Sequence, residues 1–304
     1  MIRVLGTVLA ALLGLAFGSF LNVCLSRWPE GESIVTPRSH CRHCGHALAW
    51  WENIPLVSWI ALRGRCRSCR AWIGWRYVIM EVSLAALWSI EAWRSLPPAI
   101  SATLPISVVL FVASIGAFMA LFLWLLLALA VLDAEHLWLP NWLTWPGIAI
   151  GVVWKYASAI LAIDINKATE VPIYSEFVRF IGGPVIMQFE PLLAPLAAAF
   201  LVLFIRLIYW LIRRREGLGL GDAKLMALLA AWLGFSGALI AFGIGVLIGA
   251  LVALVVLLRP RKQSGDERWA QMKLPLGTFL CIGGIVSVLW GQWIIAAYMR
   301  WAGF

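Results

Sequence analysis

Two cysteine pairs, Cys41-x2-Cys44 and Cys66-x2-Cys69, are the first residues in this chain whose types and spacing point to chemistry. Two such hairpins bring four thiolates into a tetrahedron, the arrangement that holds a structural zinc. Four cysteines leave no open position for water, so the metal expected is structural rather than catalytic. The stretch around them is apolar (Trp50, Trp51, Ile54, Leu56, Val57, Trp59) yet too short to bury a sizeable core, so metal binding would contribute directly to its folding. The alternatives are two disulfides or four bystander thiols. His40, His43 and His46 crowd the box and are read as surface residues or neighbours of a shell that four thiolates already complete. Cys24 and Cys281 are read as small buried residues.

The second candidate set is acidic. Asp133 follows the run Ala128-Leu129-Ala130-Val131-Leu132, and Asp222 follows Gly219-Leu220-Gly221. Ionisable groups at the ends of strongly apolar segments are functional candidates by default. Two carboxylates sharing a site cannot both ionise cheaply, so such a pair carries one proton, letting one activate water while the other protonates or polarises a scissile carbonyl. Glycines before Asp222 allow tight turning and close approach to an extended substrate. The competing reading is that each aspartate is an ordinary cap or interfacial charge. Helix dipoles predict an asymmetry, with Asp133 at a C-terminus holding the proton and Asp222 at an N-terminus ionised.

The elements that must carry these residues are read from hydropathy. The chain has 304 residues, 62% of them hydrophobic and 13% charged. Soluble domains run near 25% charged, so a soluble enzyme, a secreted disulfide scaffold and a disordered chain are excluded. Uncharged runs at Val4–Ser26, Ser95–Leu132, His136–Trp154, Leu225–Leu258 and Leu274–Met299 are each near or beyond the roughly 20 residues of a membrane helix. They lack period-2 alternation, so helices are expected rather than barrel strands. The fold class expected is an all-α polytopic membrane protein with about eight transmembrane helices and a cytoplasmic zinc-binding loop domain. Its expected parts are a first helix (1–26, retained rather than cleaved as a signal peptide), the four-cysteine domain (27–76) and a transmembrane domain of about seven helices (77–304).

Charge placement sets the orientation. The net charge is +9, but much of it lies between the first two spans, where Arg27, Arg38, Arg42, Arg63, Arg65, Arg67, Arg70 and Arg76 face only Glu30, Glu32 and Glu52. Cytoplasmic loops are enriched in Lys and Arg, so this is an orientation signal facing anionic headgroups, and nucleic acid is not an expected partner. With that loop cytoplasmic, where disulfides do not persist, Pro97 and Pro98 end the second span and the third starts after Pro105. It ends at Asp133 on the cytoplasmic side. The fourth opens after Pro140-Asn141, the acidic segment Asp164–Glu190 lies outside, and the fifth ends in Arg213-Arg214-Arg215. Gly234-Phe235-Ser236-Gly237 divides the run Leu225–Leu258 in two, returning Arg259, Arg261 and Lys262 inside. Lys155 marks a polar interior or an earlier end to the fourth span.

These residues resemble the bacterial type IV prepilin peptidases. The resemblance runs through Phe17-Gly18-Ser19-Phe20-Leu21-Asn22-Val23, the box from Pro37 to Cys69 with Trp51-Glu52-Asn53-Ile54-Pro55, Leu132-Asp133 with Leu139-Pro140-Asn141, and Gly219-Leu220-Gly221-Asp222-x-Lys224. It implies that Asp133 and Asp222 are the aspartates of a GxGD membrane protease, with Gly219, Gly221 and Lys224 supporting the site. It also implies that the box binds zinc, that the enzyme lies in the bacterial inner membrane, and that its substrates are prepilins and pseudopilins whose basic leader it removes. N-methylation of the new terminus with S-adenosylmethionine is implied by resemblance alone. Where the family usually shows a Pro-Phe-Gly-Pro-type segment, this chain has Leu274-Pro275-Leu276-Gly277-Thr278-Phe279, and the segment from Lys155 to Glu190 has no counterpart. The reading from another class is a non-enzymatic scaffold or transporter with a zinc module.

Overall fold

In the computed structural model the described residues are 2–96, 106–169, 189–215, 219–258 and 274–303. The helices are α1 (Ile2–Arg27), a 3-10 turn (Trp50–Asn53), α2 (Val57–Ala61), α3 (Arg76–Ser95), α4 (Ile106–His136), α5 (Asn141–Thr169), α6 (Glu190–Arg213), α7 (Leu220–Leu258) and α8 (Leu276–Trp301). Among the described residues α1, α4, α5, α6, α7 and α8 are long and apolar enough to cross a membrane. α3, expected as the second span, is diluted by Glu81, Glu91 and its terminal arginines, but both glutamates are buried rather than presented outward. The expected breaks at Pro97, Pro98 and Pro105, the basic residues Arg259, Arg261 and Lys262, and most of the acidic segment lie outside the described residues. The chain divides into two compact units, Met1–Ala128 and Leu129–Phe304.

In the first unit α1 packs along α3 through a stripe of one helical face. A Cβ at Gly14 would lie 2.6 Å from the Ala85 Cα, and one at Gly18 2.6 Å from the Glu81 Cα. One turn further, Asn22 donates to the Tyr77 carbonyl at 3.0 Å. Without water to drive association in lipid, small residues that let backbones approach take over that role. The opposite face of α1, with Val4, Leu5, Val8, Leu9 and Leu12, is exposed, as a lipid-facing surface requires. Arg27, buried at the end of α1, donates to the Ser33 and Pro37 carbonyls at 2.8 and 2.7 Å and clamps the start of the cysteine loop.

In the second unit α6 buries Pro191, Ala194, Pro195, Ala198 and Val202 at helical spacing and turns Leu192, Leu196, Phe200 and Phe204 outward. Its small stripe packs against α7, which also meets α5 and α8. α7 is interrupted where the sequence predicts a division, but by one residue rather than a turn: Gly234 has φ 75° and ψ 174°. A side chain there would run into Glu190 and Lys155, so only glycine serves. Lys155 does not end the fourth span. α5 continues to Thr169, and the Lys155 ammonium lies inside, 2.9 Å from Glu190.

Candidate functional site

Asp133 sits in the last turn of α4, buried, and the chain leaves the helix through Leu137 (φ 50°), whose N–H returns to the Asp133 carbonyl at 2.9 Å. Its carboxylate meets the start of α8. The N-cap of α8 is Pro275, which has no side-chain oxygen to satisfy the exposed amides of the first turn. Asp133 fills that role from another helix: Oδ2 accepts the Thr278 N–H at 2.7 Å, and the Thr278 hydroxyl lies 3.2 Å away. A Cβ on Gly277 would fall 2.8 Å from the same Oδ2, so the contact requires glycine.

Asp222 lies in the first turn of α7, where its Oδ2 accepts the Gly219 N–H at 2.9 Å. Gly221 passes so close to Leu139 that a Cβ would meet its Cδ1 at 3.2 Å. Lys224 donates to Asn141 Oδ1 at 2.6 Å, tying the opening turn of α7 to that of α5 rather than pairing with an aspartate. The contact of Gly221 with Leu139 brings the opening turn of α7 against the segment that follows Asp133 in the chain. Asp133 stands at the C-terminus of α4. Asp133 also faces the N-terminus of α8, whose field has the opposite sign, so helix dipoles do not rank the two aspartates.

The cysteine residues form a separate centre within the first unit. All four Sγ atoms lie within 4.8 Å of one another, with Cys41 to Cys69 at 3.9 Å and Cys44 to Cys66 at 4.0 Å. Ligands about 2.3 Å from a tetrahedral zinc stand ~3.8 Å apart, so the cluster fits that ion. The two hairpins are structural repeats that only the paired cysteines announce in sequence. Cys41 N–H donates to His46 O and Cys66 N–H to Ala71 O. The residues after each pair, Gly45 and Arg70, have φ of 72° and 61°, and antiparallel bridges join His40 to Ala47 and Arg65 to Trp72. Within the second pair the N–H of Cys69, then that of Ser68, lowers the Cys66 thiol to about 6, while, against the Ala71 N–H, burial and the neighbouring cysteine sulfurs push the Cys69 thiol up to about 11. Trp59, Trp72 and Trp75 pack with ring centroids 4.5 to 5.8 Å apart and replace the missing core.

Between this module and the ends of α1 and α3 lies a cavity of about 670 Å³, lined among others by Arg27, Glu52, Trp59, Tyr77 and Glu81. Glu52 is buried. Its Oε2 accepts the Ala49 N–H at 2.8 Å and lies 3.4 Å from His46 Nε2, while Oε1 is buried with no hydrogen-bond partner among the described residues. Glu81 Oε2 accepts the Leu56 N–H at 2.7 Å. Sequence reasoning singled out neither Thr278 and Gly277 nor the role of Glu52. For the first two, the departure at Leu274–Phe279 marks the place without indicating what either residue touches.

Comparison with known proteins gives two family matches: the bacterial peptidase A24 N-terminal domain over residues 12–95 and the type IV leader peptidase family over residues 119–254. Proteins named prepilin leader peptidase/N-methyltransferase are similar over nearly the whole chain. The one from Pseudomonas aeruginosa is 31% identical, covering 96% of this chain and 93% of its own, and that from Pseudomonas putida 32%, covering 97% and 94%. One from Burkholderia pseudomallei is 32% identical over 93% of this chain and 84% of its own. No solved structure matches.

Proposed function

Because the chain belongs to the type IV leader peptidase family, we propose that it removes the leader from prepilins or pseudopilins as a membrane aspartic endopeptidase and then N-methylates the new terminus. The observation that carries the peptidase assignment is the pair Asp133 and Asp222, one anchored on the first turn of α8 and the other opening α7. In this reading one carboxylate takes a proton from water as its oxygen attacks the scissile carbonyl, and the other gives its proton to the carbonyl oxygen. Collapse of the tetrahedral intermediate breaks the C–N bond, and the leaving amine takes up the proton that completes hydrolysis. Gly219 and Thr278 hold the two carboxylates in place. Lys224 and Asn141 join the segments that frame them.

The cytoplasmic face of the bacterial inner membrane is the proposed location of the aspartates and of the cysteine module. Arginine density supports this orientation. Arg63, Arg65, Arg67 and Arg70 would meet anionic headgroups, with exposed Trp50 and Trp75 at the interface. Residues 27–76 form the proposed zinc module and 77–304 the proposed peptidase domain. Zinc held by Cys41, Cys44, Cys66 and Cys69 would supply a structural crosslink. S-adenosylmethionine, when bound, supplies an electrophilic methyl group on a sulfonium cation. The cavity beside the module is of ligand size, and its partnerless carboxylate oxygen on Glu52 suits a cation or a sugar diol. Tyr77 and Glu81 line the same cavity.

The test is coexpression with a prepilin, read by mass spectrometry of the pilin N-terminus. Inserted Asp133→Ala and Asp222→Ala proteins should each leave the leader in place. Cleavage by either variant overturns the catalytic pair.

A further inference from the structure

Thr278 occupies the third position of α8, where its backbone N–H and its hydroxyl both reach one oxygen of Asp133. The hydroxyl has a second neighbour, the Ala130 carbonyl, at 3.0 Å. A hydroxyl owns a single proton but two acceptor lone pairs, so it cannot donate to Ala130 and to Asp133 at once. Two arrangements satisfy every atom. With its proton on the Ala130 carbonyl, the hydroxyl turns a lone pair to Oδ2, and a protonated Asp133 donates to it. Rotated toward Oδ2, the same hydroxyl donates to an ionised Asp133. The Thr278 N–H serves both states, because Oδ2 accepts it whether or not that oxygen also carries a proton.

Among the described residues Asp222 has no such hydroxyl partner. Its Oδ2 is held by the Gly219 N–H, a donor that cannot reverse. We propose that Thr278 is a positioning residue for Asp133, and that its hydroxyl reverses its hydrogen-bonding direction as Asp133 gains and loses the proton that moves in each catalytic cycle. The inference rests on the reading of Asp133 and Asp222 as the catalytic pair. It concerns a residue that touches the aspartate rather than the substrate. The Ala130 carbonyl, one helical turn before Asp133 on α4, is the resting place for the hydroxyl proton, so the switch needs only a rotation about the Cβ–Oγ1 bond and no backbone movement.

The experiment is steady-state cleavage of a prepilin by the purified full chain in lipid vesicles, comparing Thr278→Val, Thr278→Ser and Asp133→Asn with the unaltered protein. Valine keeps the shape and the backbone N–H but removes the hydroxyl, and serine restores it. Thr278→Val is expected to lower kcat about tenfold or more, with KM within roughly twofold, and Thr278→Ser to regain most of the rate. A Thr278→Val enzyme with unaltered kcat overturns the proposal, as does a Thr278→Ser enzyme no faster than the valine variant. A raised KM with unchanged kcat would make Thr278 a substrate contact and also overturns it. If the valine protein does not insert, Thr278→Ala replaces it, and equal rates for alanine and serine count against the hydroxyl in the same way. Asp133→Asn separates the two levels. Cleavage by that variant removes the catalytic pair itself, whereas an inactive Asp133→Asn beside a fully active Thr278→Val removes the hydroxyl role alone.

Discussion

The Lys155 ammonium and the Glu190 carboxylate meet at 2.9 Å against Gly234, at the point where α7 leaves helical geometry. The break strands carbonyls at the end of one half of α7 and amides at the start of the other. A paired cation and anion beside it suit those two ends, and removing one partner leaves a buried charge uncompensated. Breaking a buried pair in this way costs about 3–5 kcal/mol. Lys155→Met should therefore lower the thermal unfolding midpoint measurably. Lys155→Met combined with Glu190→Gln should recover part of the loss, as followed by the unfolding of the detergent-solubilised protein.

Gly277→Ala should slow cleavage at least about tenfold while the protein still inserts. The added methyl would sit 2.8 Å from Asp133 Oδ2 and 2.9 Å from its Cγ, so the carboxylate must leave its place on α8. Displacements of about 1 Å in a catalytic group carry penalties of that order or larger. The measurement is kcat on a prepilin beside membrane-fraction quantification.

The zinc module should be acid-sensitive. Metal ligation requires thiolates, so protons compete with the metal for the four sulfurs as pH falls. Glu52 acts in the same direction. The Ala49 N–H, foremost, holds its carboxyl below the usual range, so its contribution is present above the unfolded value of about 4.3 and lost as pH falls through the lower folded value. Protein purified under reducing conditions should carry one zinc per chain at neutral pH and release it on acidification. Cys41→Ser should purify without it. Elemental analysis at stepped pH checks both statements.

Glu52→Gln should separate the two activities. The residue lines the cavity of the first unit, whereas both aspartates belong to the second, so leader removal is expected to persist while methylation of the cleaved pilin falls at least about tenfold. One mass spectrum of the pilin N-terminus reads both products. Normal methylation would detach the cavity from the methyl donor.

The residues that could be read from sequence were those rare for their surroundings. Asp133 and Asp222 stand out because the runs beside them contain no other charge, and the cysteine pairs because their spacing matches a metal's geometry. The break at Gly234 was legible from the length of the apolar run. Thr278 was not, because one threonine at a span start is ordinary, and its importance comes from two donors meeting a carboxylate 145 residues away in sequence. The Lys155–Glu190 pair was missed for the same reason: each charge looked like a boundary marker until folding brought them together. The second hairpin hid its kinship to the first because Arg70 occupies the left-handed position that Gly45 fills there.

The interruption at Gly234 also sets a length. The half of α7 that begins with Asp222's turn ends there after about 14 residues, or roughly 21 Å of helix, against a hydrocarbon layer of about 30 Å. Such a short rod leaves a hydrophobic mismatch, which a bilayer relieves by thinning around it. Thinning would bring water and polar headgroups down to the aspartate instead of lifting the substrate's apolar helix out to them. Acyl-chain length then becomes a control on the reaction: cleavage in vesicles of defined lipid should slow as the chains lengthen and the local dimple becomes costlier to form.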